Sequence, residues 1–173
     1  MPLFNLIVSH TPGRDGYFEA LRYLRAYIEG LQVFYTRQSL ILARVPDPRR
    51  AVKVLSERLP PDSPILRAIP VDAVVQPYLE EVREAVARLY PRLIPEGAKF
   101  AVRVEGRLRR RDGSEVDRIT AQREIGDVVD RPVDLRNPDY LVLVKVVKLK
   151  GGAAYAAVAI TPPSLIYSKA RGR

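Results

Sequence analysis

Apolar positions recur along the chain in two periods, and the switches between them lay out the elements. Residues 3–8 are a short apolar run that gives way to the turn-rich string His10-Thr11-Pro12-Gly13-Arg14-Asp15-Gly16. Tyr17, Leu21, Leu24 and Ile28 then fall at i, i+4, i+7 and i+11, one stripe of an amphipathic helix closed by Gly30. Residues 31–35 and 40–45 are β-rich runs joined by the polar stretch 36–39. Asp47-Pro48 marks a helix start, because Asp accepts from free N–H groups and Pro suits the first helical position. Val52, Leu55 and Leu59 carry that helix to Pro60-Pro61, and residues 65–71 return as a strand.

The order βαββαβ is the ferredoxin-like pattern. A second start follows at Gln76-Pro77, where Leu79, Val82, Val86, Leu89 and Leu93 predict a helix to Tyr90 or Leu93. After the break at Pro95-Glu96-Gly97, residues 99–105 alternate strictly. Phe100, Val102 and Val104 point one way and Lys99, Ala101, Arg103 and Glu105 the other, a half-buried strand with cations on its open face. Ser114-Glu115-Val116-Asp117 reads as a loose capping box and predicts a helix to about Val129. Residues 140–149 are nearly unbroken in apolar and β-branched side chains, as a central strand should be, and Gly151-Gly152 turns them into residues 153–160 as a hairpin. The two halves meet near residues 71–76. The expected fold class is α/β (α+β).

Charge changes this picture most. The 173 residues carry 29 Lys+Arg against 20 Asp+Glu, a net of +9. Of the cations 23 are Arg, which grips phosphate bidentately and stacks on flat groups, so the excess points to nucleic acid. A GC-rich genome or a hot habitat would also favour such a composition. Residues 1–95 hold 13 cations against 10 anions, whereas residues 96–173 hold 16 against 10. Arg103, Arg107, Arg109, Arg110 and Arg111 fall within nine residues opposed only by Glu105. Arg118 and Arg123 follow on the next helix, Lys145, Lys148 and Lys150 on the neighbouring strand, and Lys169, Arg171 and Arg173 at the end. Strand, basic loop and helix N-terminus together would make a phosphate cradle. The bland alternative is charge spread over any hydrated surface.

Much chemistry is excluded. With no cysteine there are no disulfides, thiolate metal sites or cysteine nucleophiles, and with His10 alone no His-rich metal site. Ser9-His10 has no carboxylate placed to orient the ring. Asp112, Glu115 and Asp117 sit in a basic stretch and read as turn and cap residues rather than metal ligands. No cofactor or metal is expected. Only Phe4 offers a ring on the first strand and none lies on the third, which argues against base stacking on the first module's sheet. Tyr17, Tyr23, Tyr27 and Tyr35 are expected in its core or rim. The opening residues lack a signal-peptide pattern and no apolar run approaches a membrane span, so a cytoplasmic location is expected.

The succession Lys99-Phe100-Ala101-Val102-Arg103-Val104, the basic loop, Arg123-Glu124-Ile125-Gly126, then Val133-Asp134-Leu135-Arg136-Asn137-Pro138-Asp139 and an apolar strand resembles a THUMP domain. The resemblance spans about residues 72–165, leaving 1–71 as a ferredoxin-like module and 166–173 as a basic tail. THUMP domains occur in tRNA-modifying proteins beside such a module and hold tRNA for a catalytic domain. Only 13 residues, 161–173, remain here for one. Arg67-Ala68-Ile69-Pro70-Val71 and the helix after it are similar to stand-alone THUMP proteins that assist tRNA cytidine acetylation. The resemblance implies a non-catalytic adaptor that binds tRNA, with a separate tRNA cytidine acetyltransferase forming N4-acetylcytidine in the D-arm. It places RNA contacts at Arg103, Arg107, Arg109, Arg110, Arg111, Arg118 and Lys145, with Arg136 a further candidate; the charge pattern adds Arg123 and Lys148. Asn137-Pro138-Asp139 itself reads as a structural corner. Service to another modification, thiolation or methylation, is the alternative, and a protein–protein scaffold without RNA is a second.

Overall fold

Two hydrophobic clusters, each closed around its own sheet, divide the chain into two units: residues up to Val71 joined by residues from Ser164 on, and residues Asp72–Pro163. The computed structural model describes residues 2–170.

In the first unit β1 (Leu6–His10), α1 (Arg14–Tyr27), β2 (Gln32–Arg37), β3 (Leu40–Arg44), α2 (Pro48–Arg58) and β4 (Ile65–Pro70) follow in the expected order. The sheet runs β4-β1-β3-β2 with every neighbour antiparallel. Asp47 caps α2 as its sequence predicts, accepting from Arg50 N at 3.1 Å. Tyr17, Tyr23 and Tyr27 pack against the core. Three boundaries move. β1 begins at Leu6 rather than residue 3, because the Asn5 side chain exchanges two 2.8 Å hydrogen bonds with the Val45 backbone. It runs on to His10, which is buried at 4% exposure instead of lying in a loop. α1 starts one turn early, after Gly13 at φ +97°, a conformation that suits glycine. Gly16 lies inside that first turn, where a Cβ would collide with the Thr11 carbonyl oxygen.

The second unit contains β5 (Ala73–Val75), α3 (Leu79–Leu93), β6 (Phe100–Glu105), β7 (Leu108–Arg109), β8 (Glu115–Val116), α4 (Arg118–Gly126), β9 (Tyr140–Lys148) and β10 (Ala154–Thr161). Its sheet is mixed, ordered β5-β10-β9-β6, with β6 and β9 parallel and the rest antiparallel. α3 and α4 pack together over Phe100, Val104, Val142, Val144, Val158 and Ile160. Opposite them Arg103 is exposed as expected, yet Ala101 beside it is buried. β6 forms one margin of this sheet, and its outer groups are occupied at two points. Phe100 donates to Pro132 O and accepts from Asp134 N, both at 2.9 Å, while Val104 N donates to the Gln122 side chain at 2.9 Å.

The loose capping box does not form. Glu115 and Val116 pair with Arg109 and Leu108 as a hairpin, and the helix begins three residues later. Asp117 is the true cap, accepting from Thr120 N at 3.0 Å, and α4 ends at Gly126 rather than Val129. Leu108 and Val116 decide the matter: both are buried in the core, at 1% and 3% exposure, which a helix from residue 115 would forgo. Pro91 sits in the last turn of α3, where Arg131 bonds the Ile94 carbonyl at 2.9 Å and lies over Tyr90.

The final described stretch is folded. β11 (Tyr167–Ser168) adds to β4, and Lys169 donates from its backbone to Leu66 O and from Nζ to Ser63 O. Of the basic tail expected from residue 166, Arg171 and Arg173 lie outside the described residues. Among those described, no helix is long and apolar enough to cross a membrane and no acid or histidine cluster could hold a metal ion.

Candidate nucleic-acid interface

The parallel pair β6–β9 sets where charge converges. In α/β units the carboxyl ends of parallel strands, beside the N-terminus of the crossover helix, form a natural ligand crevice. β6 leaves the sheet at Gly106, whose φ of +98° and closeness to Val146 (2.8 Å for a built Cβ) admit no larger residue without strain. That turn brings Arg107 opposite Arg118 and Ile119 in the first turn of α4 and Lys148 at the end of β9. Together with Asp117 and Val146 they line an open groove. Arg118 and Lys148 are exposed and form no ion pair among the described residues.

Arg107 and Arg109 share one carboxylate, Glu115, at 3.2 and 3.1 Å. Two guanidinium groups on one carboxylate leave a net positive charge, and pairs this exposed are weak enough to exchange for phosphate. Asp117 opposes the cations from within the groove. Hydrogen bonds from the Thr120 side chain and backbone hold its carboxyl below the usual range, so it stays charged.

Arg110 is turned toward the protein instead, whereas Arg111 stays about as exposed as Arg109. Arg110 grips Glu124 of α4 with both ends of its fork, at 3.1 and 2.8 Å, and is the less exposed of the two. Arg111 reaches Glu84 at 3.3 Å while its N–H donates to Glu80. These contacts pin the hairpin across α3 and α4. They also give Glu80 and Glu84 of α3 a partner in Arg111. Asp112 is likewise accounted for, accepting from the Ser114 hydroxyl at 2.6 Å and from its N–H.

The Arg110–Glu124 pair gives one prediction. Its hydrogen bond, more than the charges of Arg110, Arg83 and Arg123, holds the Glu124 carboxyl below its ordinary value of 4.5. A depressed carboxyl adds stability above its unfolded pKa, and that stability is lost as pH falls through the folded value. Glu124→Gln should therefore lower stability at neutral pH and flatten the decline below about pH 4.5, read by urea melts. Identical pH profiles for parent and variant would show that the pair contributes nothing.

The remaining candidates are dispersed. Arg103 lies on the sheet face away from the helices, beside Leu143, and Lys145 there pairs with Glu105 at 3.4 Å. Arg123 is exposed near the end of α4. Arg136 sits in the loop before β9, whose nine residues run about 26 Å to Lys148 at the other end. That loop is a built corner. Asp134 accepts from the backbones of Asn137 and Arg136, which lowers its pKa in that order of effect, and Asp139 accepts from Lys99 N. Sequence reasoning missed Gly106 and Arg131. The glycine could have been suspected from its place between the end of a strand and a cation, whereas nothing in the sequence marks Arg131.

Residues 77–150 match the family of the THUMP domain, and that domain is present here. No curated protein matches the chain's sequence closely enough to add to this. Among solved structures, PH1313 from Pyrococcus horikoshii superposes with a TM-score of 0.61 at 18% identity, over 92% of this chain and 55% of its own. A 4-thiouridine synthetase in complex with RNA, with ATP bound, gives 0.57 at 15% identity over 92% and 42%. TrmN from Thermus thermophilus gives 0.54 at 21% identity over 88% and 44%. The chain thus spans about half the length of these structures, and at such identities the likeness concerns the fold.

Proposed function

We propose that this chain, with a THUMP domain at residues 77–150, is a tRNA-binding adaptor that presents tRNA to a separate modifying enzyme, most specifically a cytidine acetyltransferase forming N4-acetylcytidine. The observation that carries the binding role is the convergence of Arg107, Arg118 and Lys148 on one open groove at a helix N-terminus. Guanidinium and ammonium groups beside the positive end of a helix favour phosphate, and backbone contacts of this kind read shape rather than sequence. A similar fold in a synthetase crystallised with RNA supports the same reading. The acetylation step rests on the likeness of residues 67–71 and the following helix to stand-alone adaptors. Residues 1–71 serve as the accompanying ferredoxin-like module and 72–165 as the RNA-binding domain.

Nucleoside mass spectrometry of tRNA from a strain lacking the gene tests the assignment. Loss of N4-acetylcytidine with other modifications intact is the expected result. Loss of a thiolated or methylated nucleoside instead would transfer the adaptor to that enzyme, and an unchanged profile would reject the role.

A further inference from the structure

We propose that the first unit holds a second RNA contact, an open groove between the start of α1 and the β2–β3 turn that takes one unpaired nucleotide. Its base would lie against Phe18 and Tyr17, with its phosphate in reach of Arg14 and Arg37. This rests on the RNA-binding reading above, but it concerns different residues and a different form of RNA.

Four observations meet in this groove. First, it is lined by rings in sequence: His10 lies 6.0 Å from Tyr17, and Tyr17 meets Phe18 edge-on at 5.0 Å. Phe18 is 54% exposed although it belongs to a helix with a well-filled buried stripe, so its ring is available to a flat partner. Second, Arg14 sits over Phe18 at 5.9 Å, and neither Arg14 nor Arg37 forms an ion pair among the described residues. Third, α1 has fourteen residues and Gly13 supplies no side-chain cap, so its first N–H groups lack a side-chain partner. Asp15 in that turn is the one acid that opposes an anion.

Fourth, His10 is 96% buried yet its ring lines the groove. Its Nδ1 lies 2.8 Å from Thr11 O, which can only accept, so Nδ1 donates there; Nε2 has no partner among the described residues and in the neutral ring is an acceptor. A base amino group or a ribose hydroxyl is the donor such an atom suits. Cation, exposed ring and the His10 Nε2 together describe a nucleotide better than an apolar peptide, which would use only the ring.

The test uses the full chain and two probes: a ten-nucleotide single-stranded RNA carrying 2-aminopurine, and a blunt RNA duplex of similar phosphate number. The parent should quench the fluorophore on binding. Phe18→Ala, at an exposed position that spares the core, should weaken the single strand roughly tenfold and relieve the quench, since one stacked base contributes that order of affinity. Phe18→Tyr should restore both, and the duplex should bind equally to all three. Single-strand binding unchanged in Phe18→Ala, with the duplex still bound, would overturn this site alone and leave an apolar protein segment as the groove's occupant. Binding of neither probe by the parent would overturn both this site and the RNA-binding role.

Discussion

Removal of the three groove cations together, Arg107→Ala, Arg118→Ala and Lys148→Ala, should weaken tRNA binding on the order of a thousandfold and flatten its salt dependence. Each charged contact to phosphate contributes enough for roughly a tenfold change or more, and loss of one contact lowers the slope of log affinity against log salt by about one. All three side chains are exposed on one groove of a single unit, so the fold should survive their truncation. The decisive reading is the slope: filter-binding titrations at several salt concentrations should show it falling by about two to three. The loss should also be similar for tRNAs of different sequence, because phosphates carry no base identity. An unchanged slope would move the RNA surface elsewhere, with Arg103 and Arg136 next to examine.

Leu108→Ala should cost about 2–5 kcal/mol in the stability of the second unit, the usual range for truncating a fully buried leucine. Leu108 is 1% exposed at the start of a two-residue strand, and with Val116 it anchors the hairpin in the core. Arg107 precedes it directly, so a lifted hairpin would also displace one side of the groove. With two units in the chain, melting need not be a single transition, and the expected drop belongs to the one that reports the second unit. Differential scanning calorimetry should show that transition move down while the other stays. A shift of less than a degree would mean the hairpin rests on its ion pairs alone.

The reason one arginine of the run lines an open groove and another serves packing is not legible from sequence. Arg107 to Arg111 form a run of cations when read in one dimension, but the hairpin turns Arg110 toward Glu124, fourteen residues onward, and Arg111 toward Glu84 of an earlier helix. Spacing along the chain carries no record of such pairings. The hairpin itself left no trace either, since strands of two residues are too short for a period to show. Long elements were readable for the opposite reason. The stripe from Leu79 to Leu93 and the apolar run from Tyr140 repeat often enough to mark a face or a central strand. Asp47-Pro48 was readable because a helix cap is a local bond, whereas the competition between Ser114 and Asp117 to start α4 was settled by burial of Val116. The sequence misplaces His10 because what keeps it in β1, its N–H to Ser39 O at 3.0 Å and its pairing with Ile65, joins residues far apart along the chain.

The Gln122 side chain on Val104 and the 132–134 backbone on Phe100 have a bearing on any enzyme that works with this protein. A guest strand docks by finding a row of unsatisfied amides and carbonyls, and here that row is interrupted at both points. A collaborator therefore has no zipper to extend along this flank of the second sheet. It would have to recognise side chains there, or bind through a shared RNA under the proposed function.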